Sequence, residues 1–172
     1  NEYTMIFETN GGNQILPIRQ NFASIVYIDD PVKEGYTFLG WFFDQTFDTP
    51  FSVEGVLAIE PEDSLTIYAS WQVNQYTITF DTDGGSAVTS LTQDYATSIT
   101  APADPTKTGY TFDGWNETVP ATMPAGNLTL TATWTINQYT ITFDTDGGSA
   151  VTSITQDYAT VITAPADPTK TG

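Results

Sequence analysis

Two aspartates flank one residue just ahead of a glycine pair at Asp81-x-Asp83-Gly84-Gly85, and the arrangement returns at Asp144-x-Asp146-Gly147-Gly148. Carboxylates at this spacing beside glycine resemble the opening of a calcium loop, so Asp81, Asp83, Asp144 and Asp146 are candidate calcium ligands. A full EF-hand loop also needs later ligands and a closing bidentate Glu, and that Glu is missing. The competing reading is turn chemistry, since a tight hairpin turn needs positive φ, which Gly accepts freely and Asp tolerates. Glu60, Glu62 and Asp63 form a further acidic cluster, read as a solvated loop. Paired carboxylates could support glycoside hydrolysis. Units this small offer no deep cleft, and no catalytic residue is assigned.

Lys33, Lys107 and Lys170 share one repeat position. An isopeptide crosslink would need each lysine buried beside a carboxylic acid; in a Pro/Gly-rich turn they are expected to be exposed. Asn116 and Asn127 open N-x-T acceptor sequences, expected to be unmodified. The run "WFFDQTF", Trp41 to Phe47, offers Phe42, Phe43 and Phe47 as a ligand-binding patch wherever they reach the surface. The alternative is a loop that folds down over its own rings. The chain has no His and no Cys, which excludes disulfides, Cys/His zinc sites, Ser-His-Asp triads and Cys-His dyads. No cofactor is expected.

These residues sit in a repeat. Asn74-Gln75-Tyr76 recurs as Asn137-Gln138-Tyr139, an offset of 63, with only Leu91 to Ile154 and Ser98 to Val161 changed over the shared stretch. A distant copy opens the chain. Trp41 to Trp71 spans 30 positions where Trp115 to Trp134 spans 19, so the first copy carries an insertion of 11 residues. The domains are read as 1–73, 74–136 and 137–172, the last holding only the N-terminal half of the unit. Copy three stops before its own "YTFDGW", so either the natural chain continues or something else completes the fold. Four residues separate Trp134 from Tyr139, a restricted joint rather than a soft Gly/Ser hinge, which predicts an extended array.

Strict alternation marks strands. Tyr76, Ile78 and Phe80 share one face, and Leu128, Leu130, Ala132 and Trp134 another. Further strands are predicted over 110–115 and around 87–92. "PADPTKTG" cannot be regular strand and admits at most a short helical turn. Tyr76, Phe80, Phe112, Trp115 and Trp134, with Trp41 and Trp71, are the expected core; the rival reading makes them a sugar-stacking platform.

Twenty-one acidic residues against 4 basic ones give a formal charge of −17. Such a surface is repelled by phosphate backbones and anionic lipid, which argues against nucleic acid as a partner. No apolar run approaches the ~20 residues of a membrane span, so no membrane insertion is expected.

The ordered segments "YTITFDTDGG", "PTKTGYTFDGW" and "LTLTATW" resemble the Listeria–Bacteroides repeat, also called the internalin B-type repeat. The resemblance implies a mainly β fold of tandem small β-grasp-like modules, about four strands each. It implies a place on secreted or surface-anchored bacterial proteins, as spacer or adhesive modules, and no catalytic residues. The expected function is a non-enzymatic stalk or adhesive repeat array. One alternative is an adhesin module that engages an extracellular glycan or host protein through the first-copy insertion. Another is a filament subunit that self-associates through the free strand edge of the partial third copy.

Overall fold

The computed structural model describes residues 2–21, 27–51 and 64–172. Glu60, Glu62 and Asp63 lie outside the described residues, as does much of the first-copy insertion. The described elements are all strands: β1 (Glu2–Glu8), β2 (Ile18–Asn21), β3 (Tyr36–Phe42), β4 (Ser64–Val73), β5 (Gln75–Asp81), β6 (Leu91–Asp94), β7 (Tyr110–Trp115), β8 (Leu128–Ile136), β9 (Gln138–Ile141) and β10 (Ile154–Asp157). They form two four-stranded sheets of one design, ordered β2-β1-β4-β3 and β6-β5-β8-β7, and a two-stranded sheet β10-β9.

Alternation sets the faces. Along β1, Tyr3, Met5 and Phe7 are buried while Glu2, Ile6 and Glu8 are exposed. On β5 the buried positions are Ile78 and Phe80. Periodicity does not reveal that the central pair of each four-stranded sheet is parallel. β1 lies beside β4 from Thr4↔Ser64 to Glu8↔Tyr68, and β5 beside β8 from Ile78↔Leu128 to Asp81↔Thr131. A parallel pair needs a crossover of a dozen residues or more, and here the middle of the repeat supplies it. The outer pairs β1–β2, β3–β4 and β7–β8 are antiparallel, with an irregularity between Phe38 and Gly40 that recurs between Phe112 and Gly114.

The chain divides into two compact units. One comprises Asn1–Thr77 with Thr92–Ile99 and Pro120–Asn127; the other comprises Ile78–Leu91, Thr100–Val119 and Leu128–Gly172. In the first, Tyr3, Met5, Phe7, Trp41, Ile67 and Ala69 form the buried centre, with Phe38, Phe43, Phe51 and Trp71 packed against it. In the second, Ile78, Phe80, Leu130 and Ala132 are buried, and a chain of rings runs Phe80–Trp115–Phe112–Trp134 at centroid spacings of 5.0 to 5.4 Å. Aliphatic side chains take the fully buried positions. Tyr76, Phe112, Trp115, Trp134 and Trp71 are half-buried, forming the margin of the core rather than its middle.

The strand predicted around 87–92 starts later, at Leu91. Ser86 is taken up by the Pro-rich loop: its N–H donates to the Thr106 carbonyl (2.7 Å), and its Oγ accepts from the Thr106 N–H (2.9 Å). That holds the chain away from the sheet for several more residues. "PADPTKTG" contains no helical turn.

Candidate functional site

The doubled Asp-x-Asp-Gly sequence makes a clamped turn. Asp83 and Gly84 both have positive φ, 45° and 81°, and the Gly85 N–H donates to the Thr82 carbonyl (2.9 Å). The Asp81 carboxylate accepts from the Asp83 N–H (3.0 Å). Two side chains from elsewhere in the unit close on this turn. Trp134 Nε1–H donates to the Thr82 carbonyl (3.1 Å), and Lys107 Nζ donates to the Asp83 carbonyl (2.7 Å) while lying 3.4 Å from its carboxylate. The ammonium also sits 4.7 Å from the Tyr110 ring centre and 5.5 Å from that of Trp134, within cation–π range. The first copy repeats the clamp with Trp71 Nε1 on the Thr9 carbonyl and Lys33 Nζ on the Asn10 carbonyl, both 2.9 Å.

Lys33 and Lys107 are therefore half-buried, against the exposure expected from their Pro/Gly setting, while Lys170 is exposed as expected. The Lys107 side chain is only 22% exposed, because its aliphatic stem lies along aromatic rings while the head finds oxygen. Lys170, placed the same way on Asp146, keeps 61% exposure. These contacts put an ammonium at the turns where Asp83 and Asp146 would offer their oxygens to calcium. Asp144 accepts from the Asp146 N–H in the same local turn. Among the described residues no group of three or more Asp, Glu, His or Cys could hold a metal ion.

A second recurrent constellation lies where one copy meets the next. The Asn74 N–H donates to the Gly35 carbonyl (2.9 Å), the Tyr95 N–H donates to the Asn74 carbonyl (2.8 Å), and Thr37 Oγ1 donates to Asn74 Oδ1 (2.6 Å). The Tyr95 ring lies so close to Gly35 that a Cβ there would collide with it, and it meets Tyr36 edge-on at 6.1 Å. The same contacts recur at Asn137: its N–H donates to the Gly109 carbonyl, its carbonyl accepts from the Tyr158 N–H, and its Oδ1 accepts from Thr111. Tyr158 covers Gly109 as Tyr95 covers Gly35. Sequence reading passed over Tyr95 and Tyr158; their signal was the Gly-Tyr-Thr triplet and Asn-Gln-Tyr triplet recurring together.

The sequence profile of the Listeria-Bacteroides repeat domain matches residues 3–70, 76–133 and 139–172. The chain belongs to that family. The curated relatives of this Listeria-Bacteroides repeat chain include Internalin H of Listeria monocytogenes serovar 1/2a, 36% identical over 78% of the chain. Two Evansella cellulosilytica proteins, named only as a membrane protein and a Gly-rich membrane protein, are 37% and 33% identical over all of it. The chain spans about a quarter of the length of these relatives: 25%, 27% and 21% respectively. Among the described residues no helix is long and apolar enough to cross a membrane.

The first Listeria-Bacteroides repeat carries an aromatic insertion that the second lacks. Phe42 and Phe43 are half-buried, Phe43 against Phe51 and Phe42 against Phe47, at 5.3 and 5.5 Å. Phe47 is 39% exposed and holds a positive φ of 61°, rare for a bulky side chain. Asp44 organises this turn: its carboxylate accepts from the Thr46 hydroxyl and N–H and from the Asp48 and Thr49 N–H groups. The Thr46 bond, then the Asp48 amide, holds the Asp44 carboxyl well below the usual carboxylate range. Beside Phe47 runs an open groove of about 610 Å³ lined by Tyr36, Tyr68, Trp71, Gln45, Glu8 and Lys33, among others. In the second repeat Thr131 stands at the position of Tyr68, and Phe47 has no counterpart.

Proposed function

We propose that this chain is a non-enzymatic spacer array of a bacterial secreted or cell-surface protein. The carrying observation is the repeated joint: Asn74 and Asn137 make the same bonds to Gly35 and Gly109, each under the equivalent tyrosine, Tyr95 and Tyr158. The family, the Internalin H relative and the relatives named as membrane proteins support the location. Lengthening a chain by one copy without altering the contacts on either side is what a spacer requires.

Deletion of residues 74–136 tests this, because it sets Asn137-Gln138-Tyr139 directly after Val73. Tyr158 is then expected to take the seat of Tyr95 over Gly35, and the chain to stay folded. The distance between dyes on cysteines introduced near the two ends should shorten by one repeat, read by energy transfer. An unchanged distance would sink the spacer reading.

A second reading, a ligand-binding module, is supported by Phe47 and its groove. Rings beside amide and carboxylate groups suit a sugar, and the charge of −17 disfavours an anionic one. In a screen against neutral oligosaccharides and extracellular matrix proteins, this reading expects binding to fall at least tenfold in a Phe47→Ala, Tyr68→Thr double variant. Thr is the residue the second repeat already carries there. No binding across the panel leaves the groove without a role in recognition.

A further inference from the structure

We propose that each complete repeat is built to carry tension along the chain, with its parallel central strand pair as the resisting element. The inference rests on the spacer reading and adds a mechanical task to it. β4 ends at Val73 and β5 starts at Gln75; β8 ends at Ile136 and β9 starts at Gln138. A single asparagine therefore passes force from one repeat to the next. Tension enters the second repeat at the N-terminal end of β5 and leaves at the C-terminal end of β8. These strands are parallel neighbours, so pulling them from opposite ends slides one along the other. All ladder bonds between them are strained together rather than broken in turn.

The clamped turn reinforces that pair. Thr82 directly follows β5 and Trp134 lies near the end of β8, so their bond, with Lys107 on Asp83, must also give way before the strands slip. The first repeat has the same mechanics in β1 and β4, joined through Trp71 on Thr9. The third copy gives an internal contrast. β9 and β10 are antiparallel, with Gln138 opposite Asp157, so once Thr169 and Lys170 let go of Ser149 and Asp146, force enters and leaves at one end of the pair and opens it one residue pair at a time.

The chain lacks cysteine, so introduced thiols define the pulling points. In one full-length variant, Gln75→Cys and Gln138→Cys load β5 against β8 in shear. In another, Gln75→Cys and Gly126→Cys hold the adjacent N-terminal ends and peel the same strands apart. Gly126 has open space for a side chain. Single-molecule stretching is expected to need several-fold more force in the first geometry, with matching thermal midpoints showing that both variants are folded. A chain tethered by its termini should open its third copy first, at low force. Opening one 63-residue copy then adds about 200 Å at ~3.3–3.6 Å per residue. Equal forces in the two geometries would overturn the proposal while leaving the distance result of the deletion untouched, as would a third copy that opens no more easily than the others.

Discussion

Trp134→Ala is expected to cost the second repeat a third or more of its stability. Truncating a large core aromatic costs about 3–5 kcal/mol. Because Trp134 is half-buried, the lower end applies. A unit of 63 residues has only about 3–9 kcal/mol in total by the per-residue rule. The ring packs on Phe112, receives the Lys107 ammonium, and its N–H closes the turn at Thr82, so one substitution loosens sheet and turn together. Urea unfolding followed by circular dichroism should show the loss as an earlier transition. Trp134→Phe keeps a ring and gives up the hydrogen bond, so it should recover more than half of the deficit. A loss below about 1 kcal/mol for the alanine variant, the scale of one ordinary hydrogen bond, would reduce the ring to a surface cover.

Gly109→Ala is expected to release the third copy. The new Cβ would collide with the Tyr158 ring, and the backbone there has a φ of 79°, which costs an L residue about 1–2 kcal/mol. Tyr158 must leave its seat, and with it goes the packing that holds β9 and β10 against Gly109 and Tyr110. A two-stranded hairpin is marginal by itself in water. Limited proteolysis should then cut within 138–172 far faster than in the parent chain, while the second repeat keeps its strands. Tyr158→Ala should give the same release without the backbone strain. A third copy that stays resistant in both variants would show that the joint does not hold it.

Much of this was legible in the sequence because the signals were local. The Asp83-Gly84 turn follows from which residues tolerate positive φ, and β7 spans the alternating run 110–115 as read. The mainly β character followed from the same alternation. Other features depended on distant partners. Nothing in the periodicity of β5 or β8 distinguishes parallel from antiparallel pairing, since both place alternate residues on one face. Lys107 read as exposed because its neighbours are turn formers; the rings that cover it, Tyr110 and Trp134, come from β7 and β8. Tyr95 and Tyr158 drew no attention, because their partner is a glycine that offers no side chain to pattern against. The Phe42, Phe43 and Phe47 run was visible as chemistry, but which ring faces outward depends on the turn that Asp44 ties. Tyr68 was hidden as one more residue of an alternating strand.

The lone asparagine between β8 and β9 also governs how the chain assembles. β5 and β9 carry the same residues, Gln-Tyr-Thr-Ile, so the edge of β8 that receives Ile78 would accept Ile141 equally well. Neighbouring near-identical copies are where swapped pairing becomes the characteristic folding error. Parallel neighbours need a connection of a dozen residues or more, and Asn137 alone cannot carry the chain back to run beside the strand it has just left. β9 is thereby barred from that edge and β5 holds it without a rival from the next copy. Connectivity proofreads the pairing of strands that their side chains cannot tell apart.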